Sequence, residues 1–563
     1  MSFFRRIEIP KFGGMNRFDP PHLIDDFEAQ DIRDARLERN RLEARLFKHE
    51  YAPPKAITTW DKPIRFFSQL KASGAVQDIV VTDGKMYRDY TLLESGFGTK
   101  DRWSAFIHNG IMYVASRDAM RVISTSAINK WGIVPPSAAP TTAEGAAGTL
   151  TGEYLYKYTF YNADGIESDS SPASTSLVVA ADKQVDISAI AVSGDSQVTG
   201  RYIYRIGGLV GKYYRIKDLA DNTTTTWSDN MADGTAATQS LLSVTPNDNP
   251  PGMPLVVLHN GRAFYAGNQD NPNRLYYSES LYPEYSGNYR TVGGHEALTS
   301  LAVWESELFL WKLGEIFSLQ GSVPGTGLIR DLNVRRGTVA PSSVAVGKFP
   351  TYIHYDGIYT HDGYTDNPIG RKMYDLFKND LNTDALPNSV GVANNQFYIC
   401  AVPEKGYENP SILVIYNYET RDTHIQEIAA TALYAAENGD VYVGTPDGKI
   451  LLLKREMNLN DEDVKFRWLS KEFFIGPQLK EVGSLREVNI VADTKGEDVD
   501  VFCYLDGVRT HCGTINSTKK TTHEVGLPER DGLFAAIELK YTGQKRPVIY
   551  PPVVINPEGE VPQ

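Results

Sequence analysis

The sequence predicts an all-β fold built from repeated hairpins. Three observations predict it: Asn-Gly and Asp-Gly pairs recur between apolar runs, 32 tyrosines outnumber 22 phenylalanines, and 47 glycines punctuate the chain. Aromatic and β-branched side chains suit a pleated, half-buried surface, and glycine suits the turns between strands. With 563 residues, 41% of them hydrophobic and 23% charged, the chain is long enough for several domains and is composed like an ordinary globular protein.

The repeating unit is two or three apolar residues, a polar turn, then an apolar and aromatic strand. It occurs at 79–87 (IVVTDGKMY), 106–116 (FIHNGIMYVAS), 256–267 (VVLHNGRAFYAG), 352–363 (YIHYDGIYTHDG) and 433–453 (LYAAENGDVYVGTPDGKILLL). Degenerate copies without the turn glycine occupy 301–321 and 390–403. Asn-Gly and Asp-Gly fit type I′ turns, which need positive φ at both central residues, so each copy is expected to be an antiparallel hairpin. Serial hairpins with few helix signals between them point to a β-propeller. Segments 51–134 and 252–463 together have room for six or seven blades at ~40–45 residues each. Unrelated hairpins in sandwiches are the alternative, because the spacing is irregular and no WD or kelch signature is present.

Residues 135–251 differ in kind. Proline clusters bound them, EYLYKYTFYN alternates over ten residues before an Asp164-Gly165 turn, and Thr-rich or Tyr-rich strands follow about every ten residues. That cadence predicts an inserted fibronectin type III-like β-sandwich. Residues 464–563 alternate again (KFRWLSKEFFI, LREVNIVAD, DVDVFCYLDGVRTHCG, AAIELKYTG) and predict a small C-terminal β-sandwich with a Pro-rich, extended tail. Residues 1–50 read as an N-terminal arm with a short helix near Asp25 to Ala29 and a hairpin turning at Arg39-Asn40.

Fifty-seven Lys and Arg against 70 Asp and Glu give a formal charge of −13, which argues against gripping nucleic acid through the overall field. Three cysteines, Cys400, Cys503 and Cys512, are too few for a disulfide scaffold and fit a reducing compartment. No signal-peptide h-region and no apolar run of ~20 residues occurs, so a soluble protein made in the cytoplasm is expected.

The order of pieces is recognisable. GGMN (13–16), IDDFEAQDIRDARL (24–37), YKYTFYNADGIESDSSPAS (156–174), RYIYRIGG (201–208), ADNTTTTWSD (220–229), HNGRAFYAGN (259–268) and RLYYSESLYPEYSG (274–287) together resemble the β-propeller tail proteins of short-tailed bacteriophages, called tail nozzle, tail hub or packaged-DNA stabilisation proteins. The resemblance covers most of the chain. It implies a structural virion component of the tail, a homohexamer beneath the portal and its adaptor, through which genome DNA passes without sequence-specific binding. An acidic ring would repel phosphate and leave the conduit slippery.

No familiar catalytic motif is present, and no catalytic, cofactor-binding or metal residue is assigned. GGLVGKYY (207–214) lacks Ser or Thr after its Lys and has the wrong Gly spacing for a phosphate loop. GSVPG (321–325) has no central Ser, and His295-Glu296 lacks the second histidine of HExxH. His354, Asp356, His361 and Asp362 would form a metal site only if the hairpin brought them together; solvent-facing turn residues fit the same spacing. Cys503 would face Thr510 across the Asp506-Gly507 turn, leaving Cys512 diagonal at ~7–8 Å and both thiols free. Arg33, Arg36, Arg39, Arg41 and Arg45 alternate with acids, which favours ion pairs or a subunit contact over DNA; Arg335-Arg336 is the other basic pair. The tyrosines of 274–289 suit packing between blades or an interface, or a sugar platform in an adhesin. The rival functions are a propeller-type glycan hydrolase or lyase, which needs two carboxyls ~5–10 Å apart in a pocket, and a glycan-binding adhesin.

Overall fold

The computed structural model describes residues 6–45, 47–51, 60–72, 74–243, 250, 252–279, 283–284, 288–323, 326–454, 463–476 and 482–557. The chain is all-β and divides into two compact units: Met1–Gln69, Gln77–Lys100 and Thr299–Gln563 in the first, Leu70–Val76 and Asp101–Leu298 in the second.

In the second unit, Ser104–His108, Ile111–Ala115, Met120–Ile123 and Ile128–Lys130 form a four-stranded antiparallel meander, and Leu255–His259, Arg262–Ala266, Arg274–Tyr277 and Asn288–Thr291 form another. Asn109-Gly110 and Asn260-Gly261 both have positive φ at each central residue, as type I′ turns require. The two sheets share a core of Tyr113, Trp131, Met253, Tyr265 and Tyr276.

The insert forms one five-stranded sheet. Its centre is a single 22-residue strand, Thr141–Asn162, flanked by Leu177–Ser188 and Val198–Gly207, with Trp227–Asp229 and Val210–Leu219 at the edges. The evenly spaced short strands expected from its cadence are therefore replaced by one long strand. Register shifts between Glu144 and Gly152 let this strand pass from one partner to the other. Tyr154, Tyr156 and Tyr158 all point into its core.

The first unit holds the sheets Ser300–Trp304 through Leu328–Asp331 and Ala345–Val346 through Asp366–Pro368. It also holds most of the sheet Ile64–Ala72, Ala75–Thr82, Lys85–Arg88 and Thr91–Ser95. Ala432–Ala435, Val441–Gly444 and Ile450–Lys454 make only three strands of their sheet; Phe47–Glu50, some 400 residues earlier, supplies the fourth. Val390–Ala393, Phe397–Val402, Ile412–Asn417 and Thr423–Gln426 form a further meander whose two middle strands are buried almost throughout. A strand buried on both faces reads as a continuous apolar run, here YICAV and ILVIY.

This last meander continues into a ten-stranded sheet through Ala29–Arg33, which pairs parallel with Thr423–Gln426 on one side and antiparallel with Val464–Ser470 on the other. The remaining C-terminal strands divide between this sheet and a six-stranded one. The latter takes in Ile7–Ile9 and the hairpin Ala35–Glu38/Arg41–Ala44, which turns at Arg39-Asn40 with φ of 50° and 60°. One large core joins them, with Phe12 edge-on to Trp468 at 5.2 Å. The proline-rich tail is a strand, Val548–Pro557, at the middle of the six-stranded sheet; residues 558–563 lie outside the described residues.

The helix expected near Asp25 to Ala29 is absent. Glu28 is buried, accepting from the Asn16 amide at 2.7 Å and pairing with Lys372, and the Asn16 N–H donates to the Ala29 carbonyl at 2.9 Å. These long-range bonds hold the segment in turns and then a strand. The described helical pieces are instead single turns: Asp233–Ala236, Pro341–Ser343, Arg371–Met373, Leu376–Asp380 and Leu386–Asn388.

Arg45 and Asp34 form an ion pair at 3.1 Å with both side chains almost fully enclosed. Burial pushes the Asp34 carboxyl up despite that pairing. Arg45→Met is expected to cost about 3 kcal/mol, the lower end for a broken buried pair, read as a lower urea midpoint.

His424 is 4% exposed; burial first, and the Arg36 charge second, hold its imidazole down to about 3. An unfolded imidazole titrates near ~6.5. Stability present above that value is therefore lost as pH falls toward 3, by about 1.4 kcal/mol per pH unit from this group. His424→Gln is expected to flatten the slope of stability between pH 6 and 4, measured by denaturation at stepped pH.

Candidate functional site

The histidine and carboxylate group of 354–362 does not converge. Its hairpin pairs Pro350–His354 with Gly357–His361 around Tyr355–Asp356, and Gly357 takes its positive φ after the turn. His354 closes the first strand opposite Gly357, and His361 closes the second four residues further on, so the two sit ~13 Å apart along the hairpin at 3.3 Å per residue. His354 Nδ1 lies 2.8 Å from Asp356, which also accepts from the Tyr359 hydroxyl at 2.9 Å and the Arg336 guanidinium at 3.2 Å. Burial alone would raise the Asp356 carboxyl; these partners outweigh it and hold it below the usual range. His361 is fully buried against Phe309 and pairs instead with Asp366 at 3.1 Å. Asp362 accepts from the Tyr364 and Thr365 N–H groups, which pull its carboxyl down to about 2. Among the described residues no three His, Cys, Asp or Glu side chains gather as a metal site.

The N-terminal arginines are held by carboxylates of their own chain. Arg33 reaches Asp31, Glu404 and Glu427 at 3.4–3.5 Å, Arg36 pairs with Glu38, Arg41 with Glu43, and Arg45 with Asp34; Arg39 occupies the hairpin turn. Arg335 lies 3.4 Å from Glu315.

In GGLVGKYY the turn is Gly208–Leu209, and the Asp233 carboxylate accepts from the Leu209 N–H at 2.8 Å. A carboxylate sits where a phosphate loop would offer amides. His295 and Glu296 are exposed loop residues, and Pro324–Gly325 of GSVPG lie outside the described residues. Cys503 pairs with Thr510 as expected and all three cysteines are free, but a register shift at Val501/Phe502 places Cys512 at a bulge, where its thiol meets that of Cys503 instead of standing off from it.

A more enclosed arrangement lies in the second unit. Trp131 is fully buried and donates Nε1–H to the Pro283 carbonyl at 2.7 Å, which also accepts from the Tyr265 hydroxyl at 3.3 Å. Glu284, next in the chain and 5% exposed, accepts from the Tyr113 hydroxyl at 3.0 Å. Burial raises the Glu284 carboxyl more than this bond lowers it. Beside it opens a cavity of about 210 Å³, lined also by Ile111, Asn129, Asp164 and Ile166; Asn129 donates to Asp164 at 3.1 Å. Of the aromatic run 274–289, Tyr276 and Tyr277 are buried and Tyr289 lies under the Arg274 guanidinium at 4.0 Å. Tyr282 and Tyr285 lie outside the described residues. Sequence reasoning missed Glu284, because its partners are some 120–170 residues away and no local spacing marks it.

No protein-family model matches the chain, and no curated protein matches it either. Similar solved structures include the WD40 β-propeller domain of Doa1, with 8% identity, a TM-score of 0.26 and coverage of 71% of this chain and 95% of that one. Kluyveromyces lactis Hsv2 has 9% identity, a TM-score of 0.24 and coverage of 65% and 97%. A glycoside hydrolase family 43 arabinoxylan arabinofuranohydrolase from Bacillus subtilis, in complex with cellotetraose, has 10% identity, a TM-score of 0.18 and coverage of 88% and 96%. Likenesses this slight carry no weight for function.

The two hairpin histidines are expected to behave independently. His361→Leu leaves Asp366 without its partner in a buried setting and should cost ~1–3 kcal/mol, whereas His354→Ala should cost under ~1 kcal/mol. Zinc should leave the unfolding midpoints of all three proteins unchanged; joint loss of a zinc-dependent shift in both variants would reinstate a shared metal.

Proposed function

We propose that this chain is a structural protein of a short-tailed phage tail: a nozzle or hub that forms a homohexameric ring, meets the portal adaptor and other tail proteins, retains the packaged DNA and conducts it during ejection. In this reading the meanders at 64–95, 104–130, 255–291, 300–331, 345–368, 390–426 and 432–454 supply the blades of a β-propeller of six or seven blades. The insert, with its five-stranded sheet, stands for the fibronectin type III-like sandwich, and the strands of 464–557 stand for the C-terminal sandwich.

One observation carries the reading. Along the chain, an arm is followed by two meanders, a separate inserted sheet, five more meanders and a closing pair of sheets, which is the order of pieces on which the tail-protein resemblance rests. Electrostatics supports it. The N-terminal arginines are engaged by acids of the same chain, and the net charge of −13 opposes tight retention of phosphate, which depends on basic groups displacing counterions.

Native mass measurement of the purified protein, with imaging of the particle, is expected to give a sixfold ring in the tail. A monomer under every assembly condition would remove the conduit reading. In gel-shift assays at physiological ionic strength, duplex DNA is expected to run unretarded.

A further inference from the structure

Part of the wall of the cavity beside Glu284 is a turn held by buried side chains. Three buried aromatic side chains, Trp131, Tyr265 and Tyr113, fix the Pro283–Glu284 turn through hydrogen bonds of 2.7, 3.3 and 3.0 Å. The space lies where the 104–130 sheet meets the insert, and ligand sites favour such junctions. Its wall is divided between carboxyl and amide groups (Glu284, Asp164, Asn129) and an apolar strip (Ile111, Ile166, Pro283). At about 210 Å³ it has room for several waters and so for a ligand the size of a single sugar residue.

Charge narrows the ligand class. The lining sets Glu284 and Asp164 against Lys130, itself 3.6 Å from Asp195, and His108, a balance of charge that disfavours a phosphate or a sugar acid. Burial raises the Glu284 carboxyl more than its bond from Tyr113 lowers it, which weakens the case for a cationic ligand at that wall.

We propose that this cavity binds one neutral sugar residue, with Glu284, Asp164 and Asn129 engaging its hydroxyls and Ile111, Ile166 and Pro283 receiving its C–H face. The site is independent of the tail reading and asks no chemistry of its ligand.

The test uses the full-length protein, titrated by calorimetry and saturation-transfer NMR with glucose, galactose, mannose, N-acetylglucosamine, glucuronate and choline. Saturable millimolar binding of a neutral sugar is expected. Affinity should fall at least tenfold in Glu284→Gln, which keeps an acceptor for Tyr113, and severalfold in Asp164→Asn, whose exposed position does not threaten folding. No saturable binding by any neutral sugar, preference for glucuronate or choline, or unchanged affinity in both variants would each overturn the proposal. Release of p-nitrophenol from a matching glycoside would replace a binding site with a hydrolytic one.

Discussion

The strand Ala29–Arg33 is the constraint on which the first unit depends. It is a short strand between two others that do not pair with each other, Thr423–Gln426 and Val464–Ser470. Remove it and the ten-stranded sheet becomes two sheets with exposed edges, which proteins avoid. The approach to this strand is equally constrained. The Gly14 N–H donates to the Asp422 carboxylate at 2.8 Å and the Met15 N–H to the Thr423 carbonyl at 2.9 Å. A Cβ on Gly14 would lie 2.7 Å from the Thr423 nitrogen, so the glycine permits the backbone contact. Long loop closure of this kind costs entropy only logarithmically in length, and the shared core around Trp468 and Ile425 offsets it.

The same dependence explains what was legible in the sequence. Turn chemistry is local: Asp83-Gly84, Asn109-Gly110, Asn260-Gly261 and Asp506-Gly507 all take positive φ at both positions, and each hairpin could be read from two residues and their flanks. The 352–363 copy was legible as a hairpin but not in its turn, because Gly357 pairs with His354 instead of forming the corner. Pairings across hundreds of residues leave no local trace. Asp25-Asp26-Phe27-Glu28 looks like a helix start until Asn16 and Lys372 claim Glu28, and Phe47–Glu50 looks like the end of an arm until it completes a sheet with Ile450–Lys454.

Charge follows the same rule of being explained only by its partners. Arg467, on Val464–Ser470, joins Asp31 on the Ala29–Arg33 strand at one side to Glu538 on Phe534–Gly543 at the other, and Arg509 also reaches Glu538 at 2.6 Å. Glu538 is 2% exposed, and these two guanidiniums hold its carboxyl below the usual range although burial pushes the other way. An interleaved acid and base pattern in the sequence therefore marks strands stitched side by side, since exposed pairs contribute little but enclosed ones fix which strands can be neighbours.

The insert shows how far such pairing can specify a sheet. Arg205 and Asp229 are both fully buried and 2.6 Å apart; Tyr156 donates to the same Asp229 oxygen at 2.9 Å, and Asp233 accepts from the other arm of the guanidinium at 2.9 Å. Desolvating these charges is costly, and hydrophobic replacements of equal volume are often no less stable. What the network adds is register. Tyr156 pairs directly with Arg205 across the sheet, and Asp229 sits on the far edge strand, opposite Val185. A shift of one residue in either pairing would turn a charged group toward the wrong face, leaving its partner buried alone. A long central strand that passes between two partners has many nearly equivalent pairings, and this network penalises all but one of them.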